Sequence, residues 1–371
     1  MPDLATYIFA GGGTGGHVYP GLAVAAELTR LRPDAKVVFA CSRREIDRRI
    51  LDPQPYAIVP QPVRPLPRRP WQVFSFARAW WASSRLARDL VRDLRPRAVL
   101  GLGGYAAGPV VKRAARRRIP TGLVNPDAVP GKANRYLAKY ADVIFTQFEP
   151  TRRSFSPRLE GKVRCVGCPV RRALLGADRH EALRHFRLDP ARKTLFVQGG
   201  SQGAANINQA VLALGGDLDE LADTWQVLHV TGPGQGEQVF RQAADRRILV
   251  RALEFCDRMD LAYAAAALVL GRSGAGTVAE LSATGTPAVL MPYPYHADQQ
   301  QQQNAAPLAE AGAAMICQDE RDAALNAEAL RGTLIVILRD PARLSAMEQA
   351  AGGLARPDAA ATIAAWLAEW A

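Results

Sequence analysis

Residues 6–31 read TYIFAGGGTGGHVYPGLAVAAELTRL, which is an apolar strand, a glycine-rich turn and an alanine-rich amphipathic helix in succession. The same order recurs three times, at residues 97–117, 194–214 and 267–285. Further strand candidates lie between these units, at residues 36–41, 121–125, 142–147, 225–232 and 286–294. Strands that alternate with helices predict parallel sheets covered by helices, and a glycine loop at a strand's carboxyl end is where open α/β sheets bind ligands.

The glycine loops fall into two groups, one in each half of the chain: residues 11–16 and 101–105, then residues 199–204 and 271–276. A chain of 371 residues also exceeds the roughly 250–300 residues at which single cores stop growing. We therefore expect an α/β protein with two Rossmann-like, doubly wound domains facing a cleft. The predicted boundaries are residues 1–167 and 168–355, with a helical tail at about 356–371 that packs back on the first domain.

The net charge is +12, from 47 basic and 35 acidic residues, with a concentration of arginines between Arg64 and Arg118. No nucleic-acid motif accompanies this charge, so an anionic membrane surface or an acidic substrate is the expected partner. No run of about 18 apolar residues and no signal-peptide pattern is present. Five cysteines in so large a chain favour a reducing cytosol. Cys165 and Cys168 form a CxxC without a second ligand pair, so no metal site is expected.

The GGGTGG loop at 11–16 matches the dinucleotide fingerprint, which requires an acidic ribose ligand about 20 residues on. Cys41, Ser42 and Arg43 stand there instead, which argues against NAD and leaves NADP only weakly open through Arg43. The loop therefore predicts an oxyanion site of free backbone N–H groups at a helix N-terminus. His17 follows it directly, and we interpret His17 as a general base for a sugar hydroxyl; the alternative is a structural histidine.

The second half carries two more loops of the phosphate-binding type. QGGSQGA at 198–204 adds side-chain donors from Ser201 and Gln202. GRSGAGTVAEL at 271–281 opens a helix that places Glu280 about two turns in. A carboxylate there is suited to accept hydrogen bonds from both hydroxyls of a ribose, as acidic residues do in nucleotide sites; the alternative is an exposed helical glutamate.

DQQQQQNAA at 298–306 contains five consecutive glutamines. If Asp298 caps a helix, Gln300, Gln301 and Asn304 share one face, and their primary amides suit sugar hydroxyls. The remaining glutamines are interpreted as filler on the solvent face: Gln299, Gln302 and Gln303.

Aromatic residues cluster at helical spacing within residues 66–85, among arginines. The members predicted to dock on an anionic membrane are Trp71, Phe74, Trp80 and Trp81. The alternative interpretation is an ordinary core.

Taken together, GGTGGHVYPGLA, GLGGY, VGCPVR, GGSQGA, GRSGAGTVAE and DQQQQQNA resemble, in order and spacing, glycosyltransferase family 28. The resemblance covers essentially the whole chain. It implies a GT-B fold and inverting transfer of N-acetylglucosamine from UDP-GlcNAc to the C4 hydroxyl of lipid I, giving the lipid II of peptidoglycan synthesis. It also implies an undecaprenyl-linked acceptor, no cofactor or metal, and a peripheral position on the cytoplasmic face of the inner membrane.

Residue roles follow from the resemblance by motif. His17 and Asp127 are expected to be catalytic. The expected acceptor-binding residues are Gly13, Thr14, Gly15, Gly16, Gly103, Gly104 and Tyr105. The expected donor-binding residues are Arg171, Ser201, Gln202, Phe255, Cys256, Arg272, Ala275, Glu280, Gln300, Gln301 and Asn304.

Two departures from the family pattern leave alternatives open. Residues 124–127 read VNPD where the family carries His-Glu-Gln-Asn, so Asn125 stands where an acid is usual, and Cys168 replaces an asparagine. The enzyme either uses the same acceptor with shifted contacts, with Asp127 assisting His17, or glycosylates another lipid or natural product. A UDP-GlcNAc 2-epimerase and a non-catalytic UDP-sugar-binding paralogue are further alternatives.

Overall fold

The computed structural model describes residues 5–67, 69–200, 203–295 and 298–370. The chain divides into two compact units, Met1–Arg171 with Arg356–Ala371, and Arg172–Ala355. The division falls after Arg171. Among the described helices, none combines the length and the apolar character that a bilayer crossing requires.

Unit 1 contains a seven-stranded, fully parallel sheet of order β3-β2-β1-β4-β5-β6-β7. Its strands are β1 Thr6–Gly11, β2 Lys36–Ser42, β3 Ala57–Gln61, β4 Ala98–Gly103, β5 Thr121–Asn125, β6 Val143–Thr146 and β7 Val163–Cys165. Every residue of β1, β4, β5 and β6 is buried. Such continuous apolar runs are typical of parallel strands that helices cover on both faces.

The α-helices of unit 1 are α1 Gly15–Leu31, α2 Glu45–Leu51, α3 Gln72–Leu94, α4 Gly108–Arg116, α5 Lys132–Leu137 and the C-terminal α17 Ala359–Ala368. A 3-10 turn, Tyr105–Ala107, precedes α4. Helix α17 packs against α1, and Trp366 meets Phe145 of β6 edge to face with ring centroids 5.7 Å apart. The buried apolar face of α17 thereby completes the core over one side of this sheet.

Unit 2 contains a six-stranded parallel sheet of order β10-β9-β8-β11-β12-β13. Its strands are β8 Lys193–Gln198, β9 Trp225–Val230, β10 Val250–Leu253, β11 Ala266–Gly271, β12 Ala288–Leu290 and β13 Ala314–Ile316. Its α-helices are α6 Arg172–Leu175, α7 Arg179–His185, α8 Ala205–Ala213, α9 Gly215–Asp219, α10 Glu237–Ala243, α11 Met259–Ala265, α12 Ala275–Thr284, α13 Gln300–Glu310, α14 Ala323–Leu330, α15 Val336–Leu338 and α16 Pro341–Gly353.

Both sheets reverse their strand order at one place, between β1 and β4 in unit 1 and between β8 and β11 in unit 2. In open α/β sheets, ligands bind outside the carboxyl ends of the strands at this switch point. The four glycine loops follow these four strands. The strand order therefore brings each pair of loops, distant in sequence, to one site within its unit.

Candidate active site

The first glycine loop of unit 1 is held by a carboxylate on α2. The Gly13 N–H donates to both oxygens of Asp47, at 2.7 and 2.9 Å. Asp47 is fully buried and also accepts from the Ser42 backbone N–H at 3.0 Å and from the Ser42 hydroxyl at 2.6 Å. The Gly13 N–H is therefore not one of the free donors that the sequence predicted. The acid lies not at the end of β2 but on the following helix, at Asp47.

His17 lies in the first turn of α1, between both glycine loops of unit 1. Its Nδ1 is 2.9 Å from the Thr14 hydroxyl. A Cβ on Gly103 would stand 2.9 Å from His17 Cδ2, and one on Gly104 would stand 2.9 Å from the Gly12 carbonyl. Both glycines also have φ between 71° and 95°. The GG pair after β4 is therefore required for the backbone to pass directly under the imidazole.

Burial lowers the pKa of His17 below 6.5, and the carboxylates of Asp127 and Asp47 oppose that shift. The net direction keeps the imidazole neutral at pH 7. A proton on Nδ1, donated to Thr14, leaves the Nε2 lone pair free to accept another. This is the state that a general base requires.

The VNPD segment at residues 124–127, which differs from the family pattern, takes part in a network of amide hydrogen bonds beside His17. Asn125 is buried, and its Nδ2 donates to the Asp127 carbonyl at 2.7 Å, while its Oδ1 accepts from Asn134 Nδ2 at 2.9 Å. The buried Asn134 Oδ1 has no hydrogen-bond partner among the described residues. This oxygen and His17 Nε2 both lie 3.2 Å from the place of a Cβ on Gly103. Asn134, on α5, was missed because one asparagine in a helix carries no sequence signal.

The other residues expected to bind the acceptor lie around the same loop. The Tyr105 hydroxyl is 3.5 Å from the place of a Cβ on Gly13, so the ring covers that glycine. Gly15 and Gly16 open α1, and a Cβ on Gly15 would approach the Tyr19 ring to 3.1 Å. The strand order thus brings together the acceptor-side residues expected in this unit.

In unit 2, the buried Gln198 at the end of β8 links the two glycine loops. Its Oε1 accepts from the Gly200 N–H at 2.9 Å, and its Nε2 donates to the Thr277 hydroxyl of α12 at 3.3 Å. Gln198 was missed because it reads as the last residue of a strand. Ser201 and Gln202 lie outside the described residues, so their predicted roles stay predictions.

Arg272 does not present its side chain as a free donor. Its guanidinium donates to the Met291 and Pro292 carbonyls at 2.9 and 3.2 Å, and pairs with Asp319 at 2.8 Å. The side chains of Arg272 and Asp319 are 9% and 0% exposed. Burial alone would raise the pKa of Asp319, but hydrogen bonds, including those from the Arg321 N–H, Asn326 and Arg272, hold it below its ordinary value. Arg272 therefore fixes the loop after β12. Its predicted contact with the donor stays a prediction.

Glu280 lies on α12, which begins at Ala275 directly after the glycine loop. It neighbours the buried hydroxyl of Tyr263 on α11. Burial, and then the charge of Glu280, raise the pKa of Tyr263 well above 10. Tyr263 therefore stays neutral beside the carboxylate proposed to hold the ribose.

The glutamine run begins α13, with Gln299 at the cap position in the left-handed region, φ 48°. Asp298 is not the cap residue, although its Oδ1 accepts from the Gln300 N–H at 3.4 Å. Gln301 accepts from the Tyr293 N–H at 2.9 Å, and its carbonyl accepts from the Ser273 hydroxyl at 2.8 Å. The run is thereby tied to the loop after β11.

The interpretation of Gln302 as filler on the solvent face is wrong, because Gln302 is half-buried and its Oε1 accepts from Gln318 at 3.3 Å. Gln299 and Gln303 are exposed, and Asn304 is buried.

The remaining donor-side residues differ in exposure. Phe255 is exposed and Cys256 is buried, in the segment that follows β10. Arg171 is exposed at the end of unit 1, where its guanidinium lies 5.4 Å from the centroid of the Tyr19 ring.

The aromatic residues predicted to dock on a membrane, Trp71 directly before α3 and the others within it, separate into two groups. Trp71, Phe74 and Trp81 are 69%, 80% and 64% exposed. Trp80 instead packs on α4: a Cβ on Gly108 would lie 3.0 Å from its ring, and the Lys112 ammonium lies 5.3 Å from its centroid. Trp80 is therefore half-buried and packs on α4, while its predicted membrane contact stays a prediction.

Two doubly wound sheets, each with paired glycine loops at its switch point, define a GT-B protein of the nucleotide-sugar glycosyltransferase class. Comparison with known proteins agrees. Residues 7–146 match the glycosyltransferase family 28 N-terminal domain, and residues 194–363 match the corresponding C-terminal domain.

Curated relatives match almost the whole chain. A protein of Halothermothrix orenii is 34% identical, covering 96% of both chains, and one of Myxococcus xanthus is 36% identical, covering 96% of this chain and 91% of its own. Both are named UDP-N-acetylglucosamine–N-acetylmuramyl-(pentapeptide) pyrophosphoryl-undecaprenol N-acetylglucosamine transferase. The crystal structure of Acinetobacter baumannii MurG superposes with a TM-score of 0.76 at 25% identity, covering 98% of this chain and 99% of the other. The chain belongs to glycosyltransferase family 28.

Proposed function

We propose that this protein transfers N-acetylglucosamine from UDP-GlcNAc to the C4 hydroxyl of lipid I, forming lipid II for peptidoglycan. The observation that carries the proposal is the neutral His17 between the glycine loops of unit 1, in a chain whose curated relatives bear this activity in their names. Those relatives are named transferases, which favours transfer over epimerisation or binding alone.

The proposed step is an in-line displacement at the anomeric carbon of the donor sugar. His17 Nε2 takes the proton of the acceptor C4 hydroxyl as its oxygen attacks C1. The bond from C1 to the UDP oxygen breaks, its electron pair leaves with UDP, and inversion gives a β1→4 link. Asp127 stabilises the resulting imidazolium electrostatically, as a carboxylate close to a cation does.

The donor is proposed to bind unit 2, where helices α8, α12 and α13 begin at or near the ends of β8, β11 and β12. Helix N-termini carry free N–H groups and partial positive charge, which suit the pyrophosphate. Glu280 is assigned to the ribose, and Gln301 and Asn304 to the sugar. We propose that leaving-group stabilisation of this kind requires no cofactor or metal.

The altered acceptor segment is proposed to preserve the same acceptor with shifted contacts. The Asn125–Asn134 amide pair orders residues 124–127 without the acid that the family usually carries. It leaves the Asp127 carboxylate close enough to raise the pKa of His17. Asp127 thus supplies a negative charge on the acceptor side.

The test is incubation of the purified protein with UDP-[14C]GlcNAc and lipid I, beside a panel of other lipid and small-molecule acceptors. We expect radiolabelled lipid II, with the strongest transfer to lipid I. Transfer only to another acceptor would revise the substrate, whereas donor hydrolysis or epimerisation without transfer would contradict the proposal.

We also propose that the protein docks peripherally on the anionic cytoplasmic face of the inner membrane through the exposed face of α3. Trp71, Phe74 and Trp81 supply apolar insertion, as clustered aromatics do at an interface. Unit 1 also carries cations outside α3: a pocket of 660 Å3 on this unit is lined by Arg116, Arg118, Lys139 and Lys162, among others. Among the described residues these four form no ion pair with a carboxylate, so they are available to lipid phosphates.

Vesicle co-sedimentation tests the docking face. The triple variant Trp71→Ser, Phe74→Ser, Trp81→Ser is expected to lose binding to phosphatidylglycerol-containing vesicles. Phe240→Ser removes a partly exposed aromatic side chain, 42% exposed, from unit 2 and is the control. Equal binding by the triple variant and the control would refute this docking face.

A further inference from the structure

We propose that Asp47 is a positioning residue for the transfer: its carboxylate fixes the loop that carries Thr14 and His17, and places a negative charge behind the imidazole. The inference rests on the proposed function, because it assigns His17 the role of base. It adds a residue that lies outside the glycine loop and outside the segment at residues 124–127.

The side chains of Asp47 and Arg44 hold Gly13 of the glycine loop from two sides, and we call this arrangement the clamp. Asp47 accepts the Gly13 N–H with both oxygens, and Arg44, at the start of the same helix, donates from Nη1 to the Gly13 carbonyl at 2.6 Å. A Cβ on Gly12 would stand 2.3 Å from Asp47 Oδ2, so the carboxylate fills the space that the glycine leaves. The residue that follows is Thr14, whose hydroxyl holds His17 Nδ1.

The clamp changes what the first glycine loop offers to a ligand. The Gly13 N–H already donates to the buried Asp47 carboxylate. A second anion bound at that N–H would be repelled by the negative charge of Asp47. The loop is therefore built to orient a base rather than to cradle a pyrophosphate at Gly13. The lipid pyrophosphate then takes its hydrogen bonds from donors other than the Gly13 N–H.

The electrostatic part concerns the imidazolium that forms during transfer. The charged or titratable groups set around His17 in the described part of unit 1 are Asp127 from the β5–α5 loop, Asp47 and Arg44 from α2, and Tyr105 before α4. Both carboxylates raise the pKa of His17 against the larger lowering by burial. A charge fixed in advance and shielded from water stabilises the developing cation without reorganisation.

The decisive variant is Asp47→Asn, which removes the charge and keeps one acceptor for Gly13. Because Asp47 raises the pKa of His17, its loss moves that pKa further down. We expect the acid limb of the kcat profile to shift to lower pH by roughly half a unit, and kcat at pH 7.5 to fall about tenfold. The affinity for UDP, measured by calorimetry, is expected to stay unchanged.

Three further variants distinguish an effect of the Asp47 charge from an effect of the hydrogen bonds that hold the loop. Glu45→Gln removes an exposed carboxylate from the same helix, and we expect no shift of the limb. Ser42→Ala removes a hydrogen bond to Asp47 but retains its charge, so the limb is expected to stay in place. Asp47→Glu retains the charge on a longer arm; we expect a lower kcat with the limb near its wild-type position.

NMR titration of labelled His17, assigned with a His17→Gln variant, follows the same quantity without turnover. A folded Asp47→Asn protein whose His17 titrates as in the wild type would overturn the inference. So would a shift of equal size in Glu45→Gln. Absence of transfer by the wild-type protein would instead defeat the proposed function, and the titration would still decide whether Asp47 acts on His17.

Discussion

The loop pairs of units 1 and 2 occupy the same topological place but differ in chemistry. Beside the loops of unit 1 lie an imidazole and two carboxylates, those of His17, Asp47 and Asp127. The loops of unit 2 carry amides and helix N-termini, and their charged Arg272 is neutralised inside the protein. We therefore propose that one scaffold supports two tasks: proton transfer where titratable groups are gathered, and binding of an anionic nucleotide sugar where hydrogen-bond donors are gathered.

Removal of His17 should give the largest effect and should separate the two loop pairs. His17→Gln is expected to lower kcat by about 100- to 10,000-fold, the range that general bases contribute. UDP affinity, measured by calorimetry, should remain at the wild-type value because the nucleotide is assigned to unit 2. An equally large loss of UDP affinity would contradict the assignment of the base to unit 1 and of the nucleotide to unit 2.

In unit 2 the corresponding charged residue should behave as a structural element. Arg272→Met leaves Asp319 buried without its partner, and we expect the free energy of unfolding to fall by about 3–5 kcal/mol. Arg331→Met breaks the more exposed pair with Asp217 and should cost about 1 kcal/mol or less. Urea unfolding compares the two; equal costs would show that Arg272 is not a buried anchor.

The amides of α13 should affect donor use only. Gln301→Ala removes the acceptor of the Tyr293 N–H and an amide assigned to the sugar, so kcat/KM for UDP-GlcNAc is expected to fall roughly tenfold. Gln302→Ala loses only its long contact with Gln318, at 3.3 Å, and should stay within about twofold of wild type. Steady-state kinetics with varied donor distinguishes the pair, and equal losses would remove the assignment of Gln301.

The remaining prediction concerns the pH dependence of the stability that Asp319 contributes. Its pKa is lower in the folded state than in the unfolded chain, so its contribution is present above the unfolded pKa, near 4. That contribution is lost as pH falls through the folded pKa. Asp319→Asn should therefore be less stable than the wild type at pH 7, with the difference narrowing below about pH 4. A difference that is independent of pH would contradict this account.

The fold was predictable from the sequence because its signals are local. Each glycine loop directly follows its own strand, and continuous apolar runs distinguish buried parallel strands from mixed surfaces. His17, Glu280 and the glutamine run could be singled out for the same reason, since each stands beside a recognisable loop.

The sequence does not reveal contacts between distant parts of the chain. Asp47 meets Gly13 across 34 positions, and Arg272 meets the carbonyl of Met291 across 19. In the sequence, an arginine in a glycine loop is interpreted as a hydrogen-bond donor to a ligand, because the sequence does not show whether its side chain is buried. Trp80 and Trp81 are neighbours in sequence, yet only the position of α4 shows which one is covered.

The most direct test of the division of tasks is the pH dependence of kcat at saturating UDP-GlcNAc and acceptor. Because burial lowers the pKa of His17, activity should persist at pH 6.5 and decline only as the pH falls through a lower value. The residual activity of His17→Gln should lack this acid limb. An identical limb in His17→Gln, or a wild-type limb centred above pH 6.5, would contradict the assignment of proton transfer to His17 in unit 1.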